Sequence, residues 1–345
     1  MRYLTAGESH GKALVAILEG MPAGLKLDVR KINYELKRRQ SGFGRGARMQ
    51  IEKDTVQIVS GMRKGVSLGS PIALLIENKD CSIESKPSVL SPRPGHADLS
   101  GILKYGFKDA RDVLERASAR ETASRVAVGA VCKLFLDEFD IDISSKVLMI
   151  GGECSPQSMM KKIMGAKENK DTVGGIFEVL AEGVPAGLGS YVQADRRLDA
   201  RLAKSIISIP GIKAIGFGLG FGYAYRFGSQ SHDAIYYAKD KGYFRKTNNA
   251  GGIEGGVSNG EDIIIHASMK PICTLMKPLD SVSINSKKKS KASTERSDIC
   301  VVEAAGVVGE NACAFVLADA ILEKFGSDNL IDIKKSFQQY VKRIK

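Results

Sequence analysis

The sequence contains no tryptophan, and phenylalanine and tyrosine bring its aromatic content to only 6%. Its six cysteines form no C-x-x-C pair and show no disulfide-like spacing, which favours reduced thiols in a cytoplasmic protein. No uninterrupted apolar run approaches the roughly 18 residues of a membrane span. The first nine residues lack the basic-then-apolar order of a secretory signal. These absences predict a globular cytoplasmic protein without disulfides or a membrane segment.

The charge balance is strongly positive, because 51 lysines and arginines outnumber 39 aspartates and glutamates and give a formal charge of +12. Such an excess favours an anionic partner: a nucleic acid, an anionic membrane surface or a highly charged small substrate. Proteins that read nucleic acids usually interleave aromatic and basic residues, and aromatic residues are scarce here. The composition therefore favours an anionic small molecule, with RNA as the alternative.

The stretch from 91 to 131 combines a rigid turn, a polar cluster and a buried helix. The turn PRPG at 92–95 can continue neither a helix nor a central strand, and it is followed by His96, one of four histidines. The polar segment RASARET at 116–122 then precedes apolar positions at helical spacing. Because helix N-termini present unpaired N–H groups, this combination suits an anionic ligand. The alternative is a proline loop before a core helix with solvated arginines.

Hydrophobic periodicity predicts strands and helices along the whole chain. Asp28 and Ser155 are the predicted N-caps of two helices. The predicted strands are 13–19, 56–59, 72–76, 141–150, 176–182, 212–217 and 263–267, and the predicted helices are 29–40, 123–134, 156–164, 197–207 and 310–325. Since the two types alternate without the βαβ regularity of a nucleotide-binding sheet, the pattern predicts a mixed α and β fold.

Segments of the first half of the chain return in the same order in the second half. The first copies are EGMPAGL at 19–25, GVSLG at 65–69 and the helix with Glu121, and the second copies are EGVPAGL at 182–188, GVSNG at 256–260 and the helix with Glu310. These echoes predict two related halves, approximately 1–150 and 170–330, within a single domain that spans 1–345.

Four further motifs carry residues that suit an anionic ligand. GESHG at 7–11 places His10 between glycines, which allow a ligand to approach the backbone closely. The segment 38–48 holds four arginines around three glycines, and guanidinium groups pair bidentately with carboxylates and phosphates. The glycine-rich segment 248–260 precedes a strand that leads to KPICT at 270–274, where a lysine and backbone donors suit a phosphate. The triplet RSD at 296–298 carries little information by itself.

Together these blocks resemble the chorismate synthase family from end to end. The matching blocks are GESHG, EGMPAGL, GFGRGARMQIEKD, GSPIALLIENKD, PRPGHADLSG, ERASARETASRVAVGA, NNAGGIEGGVSNGE and RSD. The resemblance implies an α+β fold, a β-α-β sandwich built from two related halves, and a homotetramer. It also implies a lyase that converts 5-enolpyruvylshikimate 3-phosphate to chorismate by anti-1,4-elimination of phosphate. The family uses reduced FMN without net redox change, and the positive charge of the chain suits these anions.

The resemblance also implies site residues, carried over position by position. His10 matches the histidine that protonates the departing phosphate, His96 the one that protonates reduced flavin, and Asp298 the aspartate implicated in removing the ring proton. The arginines that match substrate or nucleotide ligands are Arg39, Arg45 and Arg48. The positions that match cofactor-binding segments are Arg116, Ala117, Ser118, Gly211, Gly255, Lys270, Pro271, Ile272, Cys273, Thr274 and Arg296. No metal site is implied.

The chain departs from the family pattern at three places near the expected flavin. Ile272-Cys273 replaces residues with hydroxyl groups, Pro210-Gly211 stands where Asn-Ala is frequent, and Glu295 replaces a common glycine. NADPH is implied only as a reductant, which this chain or a separate flavin reductase would use. The resemblance implies no nucleic acid and no membrane as partners. Two alternatives stay open: a flavoprotein that uses the same pocket for redox chemistry, and a basic RNA-binding module.

Overall fold

The computed structural model describes residues 1–46, 52–295 and 298–344. Its strands are β1 (Arg2–Ala6), β2 (Ala13–Glu19), β3 (Val56–Ser60), β4 (Met62–Arg63), β5 (Val66–Ser67), β6 (Ile72–Glu77), β7 (Asp142–Ile150), β8 (Gly175–Glu182), β9 (Ile212–Phe217), β10 (Ile235–Ala238), β11 (Gly242–Arg245), β12 (Ile253–Glu254), β13 (Val257–Ser258), β14 (Ile263–Met269), β15 (Asp280–Val282) and β16 (Lys289–Lys291). Its α-helices are α1 (Val29–Gln40), α2 (Asp98–Tyr105), α3 (Arg111–Ala117), α4 (Thr122–Asp137), α5 (Pro156–Glu168), α6 (Leu198–Ile207), α7 (Gly228–Ser231), α8 (Val302–Phe325) and α9 (Leu330–Ile344).

Two four-stranded antiparallel sheets form the outer layers of the fold. The first has the strand order β1-β2-β6-β3 and the second the order β7-β8-β14-β9. Alternate residues of the central strands β2, β6, β8 and β14 are buried, as the inward side chains Leu14, Ala16 and Leu18 of β2 illustrate. This alternation directs one face of each sheet toward a shared helical layer.

Helices α4 and α8 form the centre of that layer and pack against each other. Helix α4 contacts β2 and β6 of the first sheet, whereas α8 contacts β7 and β8 of the second. Close approach of the two helices requires a glycine, since a Cβ on Gly129 would lie 2.3 Å from Cβ of Asn311. The order of sheet, helices and sheet confirms the predicted α+β fold and the β-α-β sandwich.

Helix α8 is longer than the sequence pattern predicts, because it begins at Val302 rather than near Glu310. The additional turns contain Gly306 and Gly309, which are weak helix formers. A Cβ on Gly306 would lie 2.8 Å from Oγ of Ser145, so the small residue allows the helix to pack on β7. In the described part of the chain, α8 is long and apolar enough to cross a membrane by length and composition, yet 89% of its apolar window is buried.

Local signals account for the helices and strands that were predicted well. Asp28 caps α1 by accepting a hydrogen bond from the backbone N–H of Arg30, and Ser155 caps α5 through the N–H of Ser158. By contrast, β1, α2, α3 and α9 were not predicted. Helix α9 includes the basic segment 342–344.

The repeated GVS motifs occupy the same structural position in both halves. Oγ of Ser67 accepts a hydrogen bond from the backbone N–H of Leu25 at 2.9 Å and donates one to the carbonyl of Pro22 at 2.6 Å. Ser258 makes the same two bonds with the corresponding leucine and proline of the second half, at 2.8 and 2.6 Å. Both serines are buried, and each one satisfies two backbone groups, of which the carbonyl of Pro185 is partly buried.

We expect Ser67→Ala and Ser258→Ala to destabilise the protein by similar amounts. Each substitution leaves one buried backbone N–H and one carbonyl without a side-chain partner, at a cost of about 1–3 kcal/mol. Urea unfolding of both variants would measure the loss, and Ser85→Ala, at an exposed serine, provides the control. A loss in only one of the two halves would contradict the equivalence of the two turns.

Candidate active site

His10 lies in the loop between β1 and β2 and is held by a buried carboxylate from α3. Its Nδ1 lies 3.0 Å from both carboxylate oxygens of Glu115, and its backbone N–H donates to the same carboxylate at 2.8 Å. On the other side of the ring, Nε2 lies 3.7 Å from Oδ2 of Asp80, which is too far for a hydrogen bond. The imidazole is therefore fixed through Nδ1, and Nε2 has no direct partner among the described residues.

His96 is held in a similar way at the start of α2. Its Nδ1 contacts Oδ1 of Asp98, a fully buried aspartate. Asp98 also accepts hydrogen bonds from Nε and Nη2 of Arg93, at 2.8 and 3.0 Å. The PRPG turn explains this closeness, because it brings the arginine, the histidine and the aspartate onto one side of a single loop.

The segment from Lys270 to Thr274 packs against the turn that carries His96. Nη1 of Arg93 donates to Oγ1 of Thr274 at 2.8 Å, and Sγ of Cys273 donates to the carbonyl of Gly95 at 2.9 Å. Nζ of Lys270 donates to the same carbonyl. Five of the residues predicted to bind cofactor, 270–274, thus lie beside a residue predicted to be catalytic.

One more cofactor position, Gly211, extends this group, and another, Gly255, does not. The backbone N–H of Lys270 donates to the carbonyl of Gly211 at 3.0 Å, and the carbonyl of Ile272 accepts from Oγ1 of Thr172 at 2.7 Å. Pro271 lies exposed between them. Gly255 lies exposed in the β12–β13 connection, and within the described residues no hydrogen bond joins it to the other predicted site residues.

Arg39, Arg45 and Asp298 form a second group, around the end of α1 and the loop that follows it. Nη2 of Arg45 lies 3.5 Å from Oδ2 of Asp298, and the backbone N–H of Gly46 donates to the same carboxylate. Arg39 donates to Oγ1 of Thr122 at 2.9 Å and lies 3.5 Å from Asp54. Burial lowers the pKa of Arg39 to about 10 despite the opposing charge of Asp54, so the guanidinium stays charged at neutral pH.

Arg120 connects the arginine group to the surroundings of His10. Nη1 of Arg120 lies 2.7 Å from both oxygens of Asp54, and its Nε donates to Oδ1 of Asn78 at 2.9 Å. Asn78 in turn donates to the carbonyls of Glu8 and Gly11, on either side of His10. The cationic group and the histidine loop therefore share one buried hydrogen-bond network.

Arg116 and Ala117 line a separate cavity near the start of α4. This cavity of about 280 Å³ is lined by Thr5, Arg116, Ala117, Glu121, Arg125 and Pro210. Arg116 is held by the carbonyls of Thr5 and Gly7 at 2.9 and 3.1 Å, and Ser118 lies half-buried beside it. The cavity borders Pro210, next to Gly211, which links it to the group around His96.

The described contacts thus arrange the predicted site residues in neighbouring groups rather than in one described cavity. Two of the predicted residues, Arg48 and Arg296, lie outside the described residues. Sequence reasoning missed the partners that hold the histidines: Glu115, Asp98, Arg93 and Arg111. The available signals were the positions of Arg93 and Asp98 within three residues of His96, and the i,i+4 spacing of Arg111 and Glu115.

Both histidine-binding carboxylates are ionised at neutral pH. Burial alone would raise the pKa of Asp98, but hydrogen bonds from His96 and Arg93 and their charges hold it well below its usual range. Burial would also raise the pKa of Glu115, but the side-chain and backbone hydrogen bonds from His10 hold the pKa of this carboxyl below its usual value. Each carboxylate therefore only accepts hydrogen bonds.

The lowered pKa of Asp98 predicts a loss of stability in acid. The ionised carboxylate of Asp98 contributes its full stabilisation of the folded state above its pKa in the unfolded chain, near 4. This stabilisation is lost as the pH falls toward the lower pKa of the same group in the folded protein. We expect Asp98→Asn to be less stable than the wild type at neutral pH, with a difference that narrows below about pH 4. Urea unfolding across a pH series would measure it, and a difference independent of pH would contradict the role of this carboxylate.

Comparisons with known proteins agree with one another. A model of the chorismate synthase family matches residues 1–322. Chorismate synthase of Thermoanaerobacter pseudethanolicus is 55% identical over 348 aligned residues, which cover 100% of this chain and 99% of that protein. The enzyme of Aquifex aeolicus is 50% identical and is covered to 98% of its length.

A solved structure supports the same assignment at the level of the fold. A crystal structure of chorismate synthase matches this chain with a TM-score of 0.83 and 44% sequence identity, over 99% of this chain and 98% of that one. Because the sequence identity extends over the full length and the fold is shared, the chain belongs to the chorismate synthase family of lyases.

Proposed function

We propose that the protein converts 5-enolpyruvylshikimate 3-phosphate to chorismate and phosphate by anti-1,4-elimination, with reduced FMN and no net redox change. Membership of the family supports the reaction. The observation that carries the substrate assignment is a set of buried guanidinium groups with unused donors. Among the described residues, Nε of Arg45, Nη1 of Arg111 and Nη2 of Arg120 are buried and make no hydrogen bond.

Unused donors on buried guanidinium groups are costly unless a ligand completes them. Arg120 is only 5% exposed, and the carboxylate oxygen of Glu52 lies 3.8 Å from its Nη2. A substrate with two carboxylates and a phosphate could accept hydrogen bonds from Arg45 and Arg120. The buried donors that the folded chain leaves unused would then have acceptors.

The residues around Gly95 and Gly211 fit a flavin mononucleotide, because they offer a lysine, backbone donors and a neighbouring cavity with two arginines. Lys270 and Thr274 would hold the cofactor beside His96, and Arg116 and Arg125 would face its anionic groups. Reduced FMN supplies an electron-rich ring that helps phosphate to leave. The protein's own contribution is to orient this ring and to exclude water and oxygen.

The site residues carried over from the family would then act as follows. His10 gives the proton on Nε2 to the departing phosphate, and His96 holds a proton at Nε2 beside the flavin. Asp298 would accept the ring proton, and its contact with Arg45 orients the carboxylate. Arg39 and Arg45, with Arg48, would bind the anionic substrate.

An anaerobic assay with dithionite-reduced FMN and 5-enolpyruvylshikimate 3-phosphate tests the proposal. We expect chorismate and phosphate in equal amounts, many turnovers for each flavin, and a flavin that stays reduced at the end. A redox flavoprotein would instead oxidise one flavin for each product molecule. Absence of chorismate with reduced FMN, despite a folded protein, would refute the proposed reaction.

We also propose that the protein is a homotetramer. The outward face of the first sheet carries exposed apolar side chains, among them Leu4 at 74%, Ile17 at 45% and Val59 at 65%. The matching face of the second sheet instead carries the charged group of Lys146, Glu178 and His266. An exposed apolar sheet face favours burial against another copy of the chain. A molar mass of four chains, measured by light scattering, would support the tetramer.

The remaining expectations concern location and reductant. We expect the protein to act in the cytoplasm, without nucleic acid or membrane as a partner. NADPH would serve only to reduce the flavin, either on this chain or through a separate flavin reductase. Adding NADPH and oxidised FMN to the purified protein separates these cases, because only a chain with its own reductase activity would form chorismate without dithionite.

A further inference from the structure

Each of the two histidines proposed to act in catalysis is held by a carboxylate that is itself next to a buried arginine. Glu115 contacts Nδ1 of His10 at 3.0 Å, and Nη1 of Arg111 lies 3.5 Å from the same carboxylate. Asp98 contacts Nδ1 of His96 and accepts two hydrogen bonds from the side chain of Arg93. The two groups come from different parts of the chain, yet in each one the carboxylate contacts Nδ1 of its histidine and not Nε2.

We propose that Glu115 and Asp98 are positioning residues, which hold His10 and His96 as the tautomers protonated at Nδ1 and leave Nε2 as the nitrogen that exchanges a proton. This inference rests on the proposed function only for its catalytic consequence. The tautomers themselves follow from the contacts and can be measured without substrate or flavin.

The hydrogen-bonding capacity of the carboxylates determines which ring nitrogen carries the hydrogen. An ionised carboxylate has no hydrogen to donate, and both carboxylates are buried and contacted by more than one donor. A hydrogen bond between Glu115 and Nδ1 of His10 therefore requires the hydrogen to be on Nδ1. When an imidazolium at this position releases one proton, the proton leaves Nε2, because the resulting tautomer keeps its bond to Glu115.

The tautomer of His96 depends on one more contact, because Nη2 of Arg93 lies 3.0 Å from Nδ1 of His96. If that nitrogen accepted a hydrogen bond from Arg93, its lone pair would face the negative charge of Asp98 at contact distance, which is unfavourable. Nη2 of Arg93 already has an acceptor in Oδ1 of Asp98, at 3.0 Å. The arrangement that satisfies every group has Nδ1 of His96 donating to Asp98.

The protein contains its own comparison for this inference. His266, on the outer face of β14, contacts the carboxylate of Glu178 through Nε2 at 2.9 Å. By the same reasoning, His266 should be protonated at Nε2 when neutral. Since the chain has only four histidines, the two kinds of tautomer can be compared within one spectrum.

The first test is ¹⁵N NMR of the full-length protein labelled at its histidines. Spectra are recorded over a pH series until each imidazole ring is neutral. We expect His10 and His96 with a protonated Nδ1 and His266 with a protonated Nε2. In Glu115→Gln the amide can both donate and accept, so only His10 should become a mixture of tautomers. Wild-type spectra with His10 and His96 protonated at Nε2 would overturn the proposal, whether or not the variant folds.

The second test asks whether the positioning matters for turnover. We expect Glu115→Gln and Asp98→Asn to lower kcat about tenfold to a hundredfold, with little change in KM, because a misplaced proton donor slows the chemical step. Glu178→Gln changes the spectrum of His266 and should leave turnover unchanged. Unchanged kcat in all three variants would overturn the catalytic part of the proposal, whereas failure of the proposed function would appear as no chorismate from the wild type.

Discussion

Replacement of His10 by alanine is expected to lower kcat by about 10²- to 10⁴-fold, the usual contribution of a positioned general acid. The side chain of His10 is 11% exposed, and its Nε2 has no direct hydrogen-bond partner in the described part of the chain. An imidazole whose Nε2 is free of partners can present that nitrogen to a leaving group. Steady-state turnover with saturating reduced FMN, together with a phosphate assay, would measure the loss.

The fold should survive this substitution, which makes the result interpretable. Glu115 would keep the hydrogen bond from the backbone N–H of residue 10 and the nearby charge of Arg111. His96→Ala should lose turnover to a similar extent, whereas His232→Ala, at an exposed histidine far in sequence from these loops, should retain it. Full activity of both His10→Ala and His96→Ala would remove the assigned roles, even if chorismate is the product.

The sequence predicts those parts of the fold that depend on neighbours along the chain. The cap at Asp28, the alternation in β2 and the apolar spacing of α4 are local patterns, and the structure has all three. The beginning of α8 is different, because Gly306 and Gly309 argue against a helix when they are considered alone. Their small size becomes an advantage only beside Ser145 and the ring of Phe177, which are distant in sequence.

The candidate site also combines features with a local sequence signal and features that depend on residues distant in sequence. Histidines and arginines next to glycine and proline indicate an anionic ligand, since guanidinium groups pair with carboxylates and phosphates and glycine lets a ligand approach the backbone. The carboxylates that hold them give no such local signal. Glu115 follows His10 by 105 residues, and Asp54 joins Arg39 and Arg120 only after the chain has folded. Such pairings are a property of the tertiary structure.

We propose that the two halves of the chain arose by duplication, as the repeated segments predict. The matched strand orders of the two sheets and the matched hydrogen bonds of Ser67 and Ser258 support this. The halves then differ in chemistry. Glu121, in the first half, pairs with Arg125 one turn away at 2.9 Å, whereas its counterpart Glu310 is completely buried among groups from other elements.

Glu310 is the centre of a buried charge network between α1, α4, α8 and β7. Its carboxylate accepts hydrogen bonds from Arg38 at 2.6 Å, from Lys133 at 2.5 Å and from Oγ of Ser145 at 2.6 Å. Glu35 contacts the same two cations, at 2.8 Å from Arg38 and 3.0 Å from Lys133. Two carboxylates thus balance two cations at the point where the halves meet.

Glu310→Ala should therefore cause the largest loss of stability of the substitutions considered, about 3–5 kcal/mol. It removes the one completely buried carboxylate of the network, and it leaves a cation in excess and Ser145 without its acceptor. Chemical denaturation would measure the loss, and Glu303→Ala, at an exposed position of the same helix, should stay within about 0.5 kcal/mol of the wild type.

The isosteric variant Glu310→Gln separates charge from volume in this experiment. It keeps the shape of the side chain but leaves Glu35 alone to balance Arg38 and Lys133. If the network is stabilised by charge, most of the loss seen with alanine should also appear with glutamine. If glutamine is as stable as the wild type, the loss in Glu310→Ala arises from the cavity, and the halves are joined by packing rather than by these ion pairs.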